Sequence, residues 1–185
     1  MAYRPRTRIW TPSALSAGVV PLSDLKDHLR VTSNDEDAYI TGLGVAATYA
    51  VERWTQRLLT VRAATLRLTD LPGGQCPIEL PGGAVASVTT VTADAVAILG
   101  CTAIGDSPAL LIPGADWPAV AGEGYPVTIV YQAGLATIPG DLSHAIKMIV
   151  ADTYEMRAST VEGPANKALV SAEYLMAPHR IWPAA

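Results

Sequence analysis

Three stretches of the chain repeat apolar residues at helical spacing, and the stretch between the second and third alternates every second residue. Leu22, Leu25 and Leu29 recur at spacings of three and four, one face of a short helix over Pro21 to Arg30, with Ser23 as its expected N-cap. After the linker Thr32-Ser33-Asn34, the residues Ile40, Leu43, Ala47, Ala50, Trp54 and Leu58 predict a long helix running to about Leu58. They form its buried stripe, with Trp54 expected in the packing against the C-terminal long helix. Asp35, Glu36 and Asp37 fall in the first turn, where the helix dipole favours negative charge. A second face carries Gly42, Ala46, Tyr49 and Arg53, whose small members allow close approach by another helix, a second copy's among the candidates. In the third stretch Pro139 pre-sets a helix start, with Asp141 in or just before the first turn. Leu142, Ala145, Ile146, Ile149, Thr153 and Met156 form one face, which Val150 and Tyr154 broaden. Glu162-Gly163-Pro164 breaks the chain, a shorter amphipathic piece runs from about Asn166 to Met176, and a proline-flanked tail closes it.

Between the helical stretches the period changes to two. Thr65 to Thr69 alternates apolar and polar residues, and Ile78-Glu79-Leu80 lies between the turn signals Pro72-Gly73-Gly74 and Pro81-Gly82-Gly83. Val85 to Val91 and Val96 to Leu99 read as a hairpin, and Ala109 to Ile112 and Val127 to Tyr131 complete about six strands. Turn signals at this spacing predict a small antiparallel sandwich or barrel. The expected class is α+β: a small bundle made of an N-terminal helix pair and a long C-terminal helix, with an inserted antiparallel, sandwich-like β region. Residues 1–20 read as an extended N-terminal arm, 21–60 with 135–176 as the helical core, 61–134 as the β insert and 177–185 as a C-terminal tail.

Composition narrows the classes. Of 185 residues 50% are hydrophobic and 16% charged, so the chain can bury a core. Low charge with many apolar residues also implies surface covered by other subunits. A net charge of −4 is not that of a protein gripping nucleic acid over its surface. The charge is uneven: Arg4, Arg6 and Arg8 stand near the start without an acid, and removing them leaves 10 basic residues against 17 acidic ones. With Trp10 as an apolar anchor, this basic arm is a candidate interface with an acidic partner or a phosphate. No stretch reaches the roughly 18 apolar residues of a membrane span, and no signal peptide is evident. Cys76 and Cys101 lack metal or redox spacing and are expected to stay reduced in the cytoplasm where the chain is made.

Candidate chemistry is sparse. Gly42-x-Gly44-x-x-Ala47 fits the loosest dinucleotide-binding pattern, but it lies inside a predicted helix, where close packing explains it better than a cofactor. Consecutive acids at Asp35, Glu36 and Asp37 point in different directions and do not converge on an ion. His28, His144 and His179 show no ligand spacing, and Ser143-His144 on one helix is not a catalytic pair. No nucleophile, base and orienter come together, so no catalytic, cofactor or metal residue is named. No single substitution at these histidines or at the two cysteines is expected to abolish assembly through lost chemistry. The tail instead holds Pro178, Arg180, Ile181 and Trp182, and Trp and Arg are residue types that dominate interfaces.

The ordered set of segments resembles the head–tail connector (adaptor, or head-completion) proteins of long-tailed bacteriophages and gene transfer agents. The resemblance rests on Leu25-Lys26-Asp27-His28-Leu29-Arg30-Val31 before Asp35-Glu36-Asp37, and on Ala50 through Leu59. It continues in Ile78 through Gly83 with Val85-Ala86-Ser87-Val88, in Tyr131-Gln132-Ala133-Gly134 before Ile138-Pro139, and in Ala145-Ile146 through Tyr154-Glu155-Met156-Arg157. Leu175-Met176-Ala177-Pro178-His179-Arg180 matches the closing motif, where tyrosine is commoner than His179. The first nineteen residues lie outside it. The resemblance implies a structural part, not an enzyme. About twelve copies would close into a ring under the portal protein, with a tail terminator or stopper on the other side, through heterologous contacts. DNA would pass through the lumen without specific binding, a role that the acidic balance suits. The site would be the neck of a virion or phage-like particle, assembled in the bacterial cytoplasm with no membrane involved. Pro178 through Trp182 would reach back onto the portal or a neighbouring subunit, and the tail would be dispensable for folding.

Two other classes compete. A ligand- or carbohydrate-binding β module on a helical scaffold requires a concave aromatic surface, for which Trp117, Tyr125 and Tyr131 are available. A hydrolase requires His144 or a nearby acid to be essential.

Overall fold

A computed structural model describes residues 7–156 and 167–182. They fall into two compact units. Residues 7–14, 56–136 and 181–182 form a β unit, and residues 15–55, 137–156 and 167–180 a helical one. Helices and antiparallel sheets together make the fold α+β.

The β unit has eight strands: β1 Arg8–Pro12, β2 Arg62–Leu68, β3 Ile78–Leu80, β4 Val85–Ala93, β5 Val96–Ala97, β6 Thr102–Ile104, β7 Ala109–Ile112 and β8 Val127–Ala133. One sheet runs β1-β2-β8-β4-β5 and the other β3-β7-β6, all neighbours antiparallel. The period of two sets which residues face the core. Ala64, Leu66 and Leu68 on β2 and Val127, Ile129, Tyr131 and Ala133 on β8 are all buried, with half-buried or exposed residues between them. They join Ile78, Leu80, Ala109 and Leu111 of the smaller sheet in one apolar cluster. At a representative 25 cal/mol per Å2 of apolar surface, each fully buried leucine or isoleucine contributes roughly 1.5–3 kcal/mol.

Two strands were not legible in the sequence. β6 is short, and β1 lies in the segment expected to be an extended arm. Arg8 to Pro12 instead pair with Leu68 to Ala64, and the Ser13 N–H continues the ladder to the Ala63 carbonyl at 2.8 Å. Pro12 is tolerated because β1 is an edge strand.

The helical unit contains α1 Leu22–Leu29, α2 Asp37–Thr55, α3 Gly140–Glu155 and α4 Lys167–Met176, followed by a 3-10 turn at Ala177–His179. α3 packs against α2, α4 and α1, and α1 also packs on α2. The boundaries differ from expectation in three places. Pro21, not Ser23, occupies the cap position of α1, and no side chain caps that end. Arg30 ends α1 in the left-handed conformation, its N–H returning to carbonyls of the last turn. α2 stops at Thr55, not near Leu58. Leu58 belongs to the β unit, donating its N–H to Gly82 at 3.0 Å and accepting that of Leu135 at 3.1 Å.

The buried face of α2 is also rotated from the expected stripe. Ile40, Gly44, Ala47, Thr48, Val51 and Thr55 are buried, Leu43 and Trp54 are half-buried, and Ala50 is exposed. Close approach decides this, not side-chain hydrophobicity. A Cβ at Gly44 would lie 2.8 Å from Leu25 Cδ1, so the absent side chain makes room for α1. Packing against Leu25 therefore explains Gly44 of the loose nucleotide pattern, while a Cβ at Gly42 would meet open space.

Candidate interface surfaces

Polar contacts lace the helices together. The three acids at the start of α2 go to three different partners. Asp37 pairs with Lys26 at 2.7 Å, Glu36 accepts the Tyr154 hydroxyl, and Asp35 takes the Ser33 hydroxyl at 2.5 Å. Lys26 also reaches Asn34 at 2.7 Å, and Lys147 on α3 reaches Asp24 on α1 at 3.2 Å. His28 and His144 are brought together, their rings edge-on with centroids 6.0 Å apart. Burial, then the His144 and Lys147 charges, hold His28 below the ordinary histidine value. His179 meets Asp141 at 2.5 Å, and that hydrogen bond is the largest of the influences holding the Asp141 carboxyl below its ordinary range. Among the described residues, no three His, Cys, Asp or Glu side chains are placed to hold a metal ion. No disulfide joins Cys76 to Cys101, and burial pushes the Cys101 thiol up.

The candidate arm divides. Arg4 and Arg6 lie outside the described residues. Arg8 and Trp10 are half-buried within β1, where Trp10 packs on the sandwich core. Gly82, at φ +97°, leaves space for that ring: a Cβ there would lie 3.2 Å from Trp10 Cζ2. Within the segment read as an extended arm, Arg8 and Trp10 are thus parts of the edge strand of a sheet.

The tail residues divide as well. Pro178 is exposed in the 3-10 turn, and the Arg180 guanidinium lies 5.1 Å from the centre of the Trp54 ring. Ile181 is buried, near enough to Gly83 that a Cβ there would lie 3.6 Å from its Cδ1. Ile181 therefore anchors the chain to its own β unit, a correction to its expected place in a dispensable tail. Trp182 is 69% exposed.

The aromatic platform of a binding module is not assembled. Trp117 is buried and donates its indole N–H to the Cys76 carbonyl at 2.8 Å. Tyr131 is fully buried, its hydroxyl donating to the Pro81 carbonyl at 2.8 Å, and burial raises its pKa. Only Tyr125 of the three is exposed.

Two helical surfaces stand out. The outer face of α2 exposes Tyr39, Gly42, Ala46, Tyr49, Ala50 and Arg53. The sequence already marked part of this face. It did not mark the groove of about 520 Å3 lined by His144 and Met148 of α3 and Ser171, Tyr174 and Leu175 of α4, where Tyr174 is 83% exposed. Its members come from segments far apart in the chain, and helical periodicity on α4 alone does not join them to α3. None of the described helices is long and apolar enough to cross a membrane.

No protein-family model and no curated protein sequence matches the chain. Solved structures do. One is a chain from the neck of an empty gene transfer agent (GTA) particle computed with C6 symmetry, at a TM-score of 0.79 and 25% identity, covering 96% of this chain and 97% of that one. A second comes from the virion of a native GTA particle, at a TM-score of 0.74 and 25% identity over 95% and 97%. A third, from the neck of a native GTA particle computed with C12 symmetry, has a TM-score of 0.73 at 24% identity over 95% and 97%, a likeness of fold. At this coverage both the helical and the β residues take part in the likeness.

Proposed function

We propose that the chain is a structural component of the head–tail neck of a gene transfer agent or phage-like particle: a connector whose copies close into a ring, not an enzyme. The observation that carries this is the likeness of nearly the whole fold to a particle-neck chain. Three features support it. Among the described residues, the polar side chains of the helical unit pair with one another. The acidic balance suits a lumen through which DNA slides, since a basic wall would retain it. The aromatic residues that a carbohydrate-binding module would display are mostly in the core. In this proposal a portal protein lies on one side of the ring and a terminator or stopper on the other, and exposed Trp182 with Pro178 supplies part of the portal contact.

Solution mass tests the ring. About twelve 19.4 kDa chains would give a closed assembly of about 230 kDa. A monomer at every accessible concentration, both alone and with portal present, would remove the proposal.

A further inference from the structure

We propose that the outer face of the smaller sheet, around the buried carboxylate of Glu79, receives the outer face of the larger sheet from a second copy, and that the Arg67 guanidinium of that copy pairs with Glu79. The inference rests on the ring proposal and names surfaces that would join neighbours in it.

Glu79 carries the argument. Ile78 and Leu80 on β3 belong to the core, so strand alternation turns Glu79 to the opposite side. It is only 6% exposed, yet among the described residues its side chain has no hydrogen bond or ion pair. Its carboxylate oxygens are not wholly closed off from solvent. A carboxylate so far removed from water is costly unless a cation meets it. The sheet beside it is equally unusual for a water-facing surface. β7, Ala109-Leu110-Leu111-Ile112, is apolar on both faces, the pattern of a strand covered on both sides. Glu79, Leu110 and Ile104 form one row across the outer face, and Ile104 is exposed.

The larger sheet supplies the complement. Arg67 is exposed on β2, and among the described residues its side chain has no hydrogen bond or ion pair. Its row runs Ile9, Arg67, Thr128 and Thr92, and the neighbouring row, from Thr11 to Thr90, adds no charge. A long guanidinium among short side chains can reach into a recess and hold a carboxylate through two hydrogen bonds. The inner faces of both sheets join one core cluster, so the two outer faces look away from each other and can meet only between copies. Unlike patches in contact make a heterologous interface, the kind that generates rings.

Full-length Arg67→Glu and Glu79→Gln variants give the test, with portal and without it. Glu79→Gln should keep or raise the melting midpoint, because the isolated subunit loses a buried charge that has no partner there. Arg67→Glu, at an exposed position, should leave it unchanged. Each variant alone should self-associate at least tenfold more weakly than the parent. Mixed, they should form a dimer that grows no further, since one variant keeps Glu79 and the other keeps Arg67. A mixture that stays monomeric, or rings from Arg67→Glu alone, would overturn the pairing and leave the ring proposal standing. A midpoint several degrees lower for Glu79→Gln would show a partner within the chain and also overturn it. Parent chains that stay monomeric under both conditions would remove the ring proposal and this contact together.

Discussion

Gly134 sits at φ +138°, and a Cβ there would lie 2.1 Å from the Thr60 carbonyl oxygen. Its N–H also closes a 2.9 Å bond to Ala84. Strain and clash coincide, so Gly134→Ala should destabilise by more than about 3 kcal/mol in denaturant unfolding. A loss under about 1 kcal/mol would show that the chain crossing at Thr60 is misplaced. Trp54 tells a different residue-level story. Fully buried, it would be worth ~3–5 kcal/mol on truncation. Half-buried beneath Arg180, it should cost about 2 kcal/mol, and a double-mutant cycle with Arg180→Ala should give a coupling of about 0.5–1 kcal/mol. His28 supplies a pH dependence with a definite sign. Its folded pKa is depressed, so the unfolded chain takes up the proton first as pH falls below about 6.5. Stability should therefore decline from there down through the folded pKa and then level. Melts of His28→Asn should show a shallower decline over that window; an unchanged slope would deny His28 the effect. Asp141 acts in a separate, more acidic window: its contribution is complete above the ordinary aspartate value and is lost as pH falls through its depressed one.

At the scale of elements, strong period and strong punctuation were legible, while contacts between distant segments were not. β3 stood out because Ile78-Glu79-Leu80 lies between two glycine-rich turns, and the strand Ile78–Leu80 occupies those residues. α3 was equally clear from Pro139 and the face led by Leu142, Ala145 and Ile146. α2 was recognised as a helix but with its buried face turned, because the pattern weighs Trp54 and Ala50 by hydrophobicity and cannot know that Leu25 needs the space at Gly44. β1 was missed because Arg8-Ile9-Trp10-Thr11-Pro12 is short and ends in proline; its partner, Leu68 to Ala64, is distant in sequence. The tail was read as loose for its prolines, yet Ile181 is buried. Of the candidate surfaces, the small-residue face of α2 was visible and the α3–α4 groove was not. Truncation separates the tail's two roles. Removing residues 181–185 should cost roughly 1.5–3 kcal/mol, the worth of one buried isoleucine. Removing 182–185 should leave the melting midpoint nearly unchanged while weakening portal binding at least tenfold, about 1.4 kcal/mol. Equal stability of the two truncations would deny Ile181 its anchoring part.

For the whole molecule, the sparse charge is what the proposed ring would require of surfaces covered by copies of the same chain. In the proposed assembly, neighbours would also cover Tyr174 and Trp182, which are 83% and 69% exposed in a chain with few aromatic residues. The proposed ring is tested most directly by electron microscopy of the full chain mixed with its portal. The account predicts a closed ring of about twelve subunits, coaxial with the portal and lengthening its channel. Bare portals beside a dispersed, monomeric chain would contradict it.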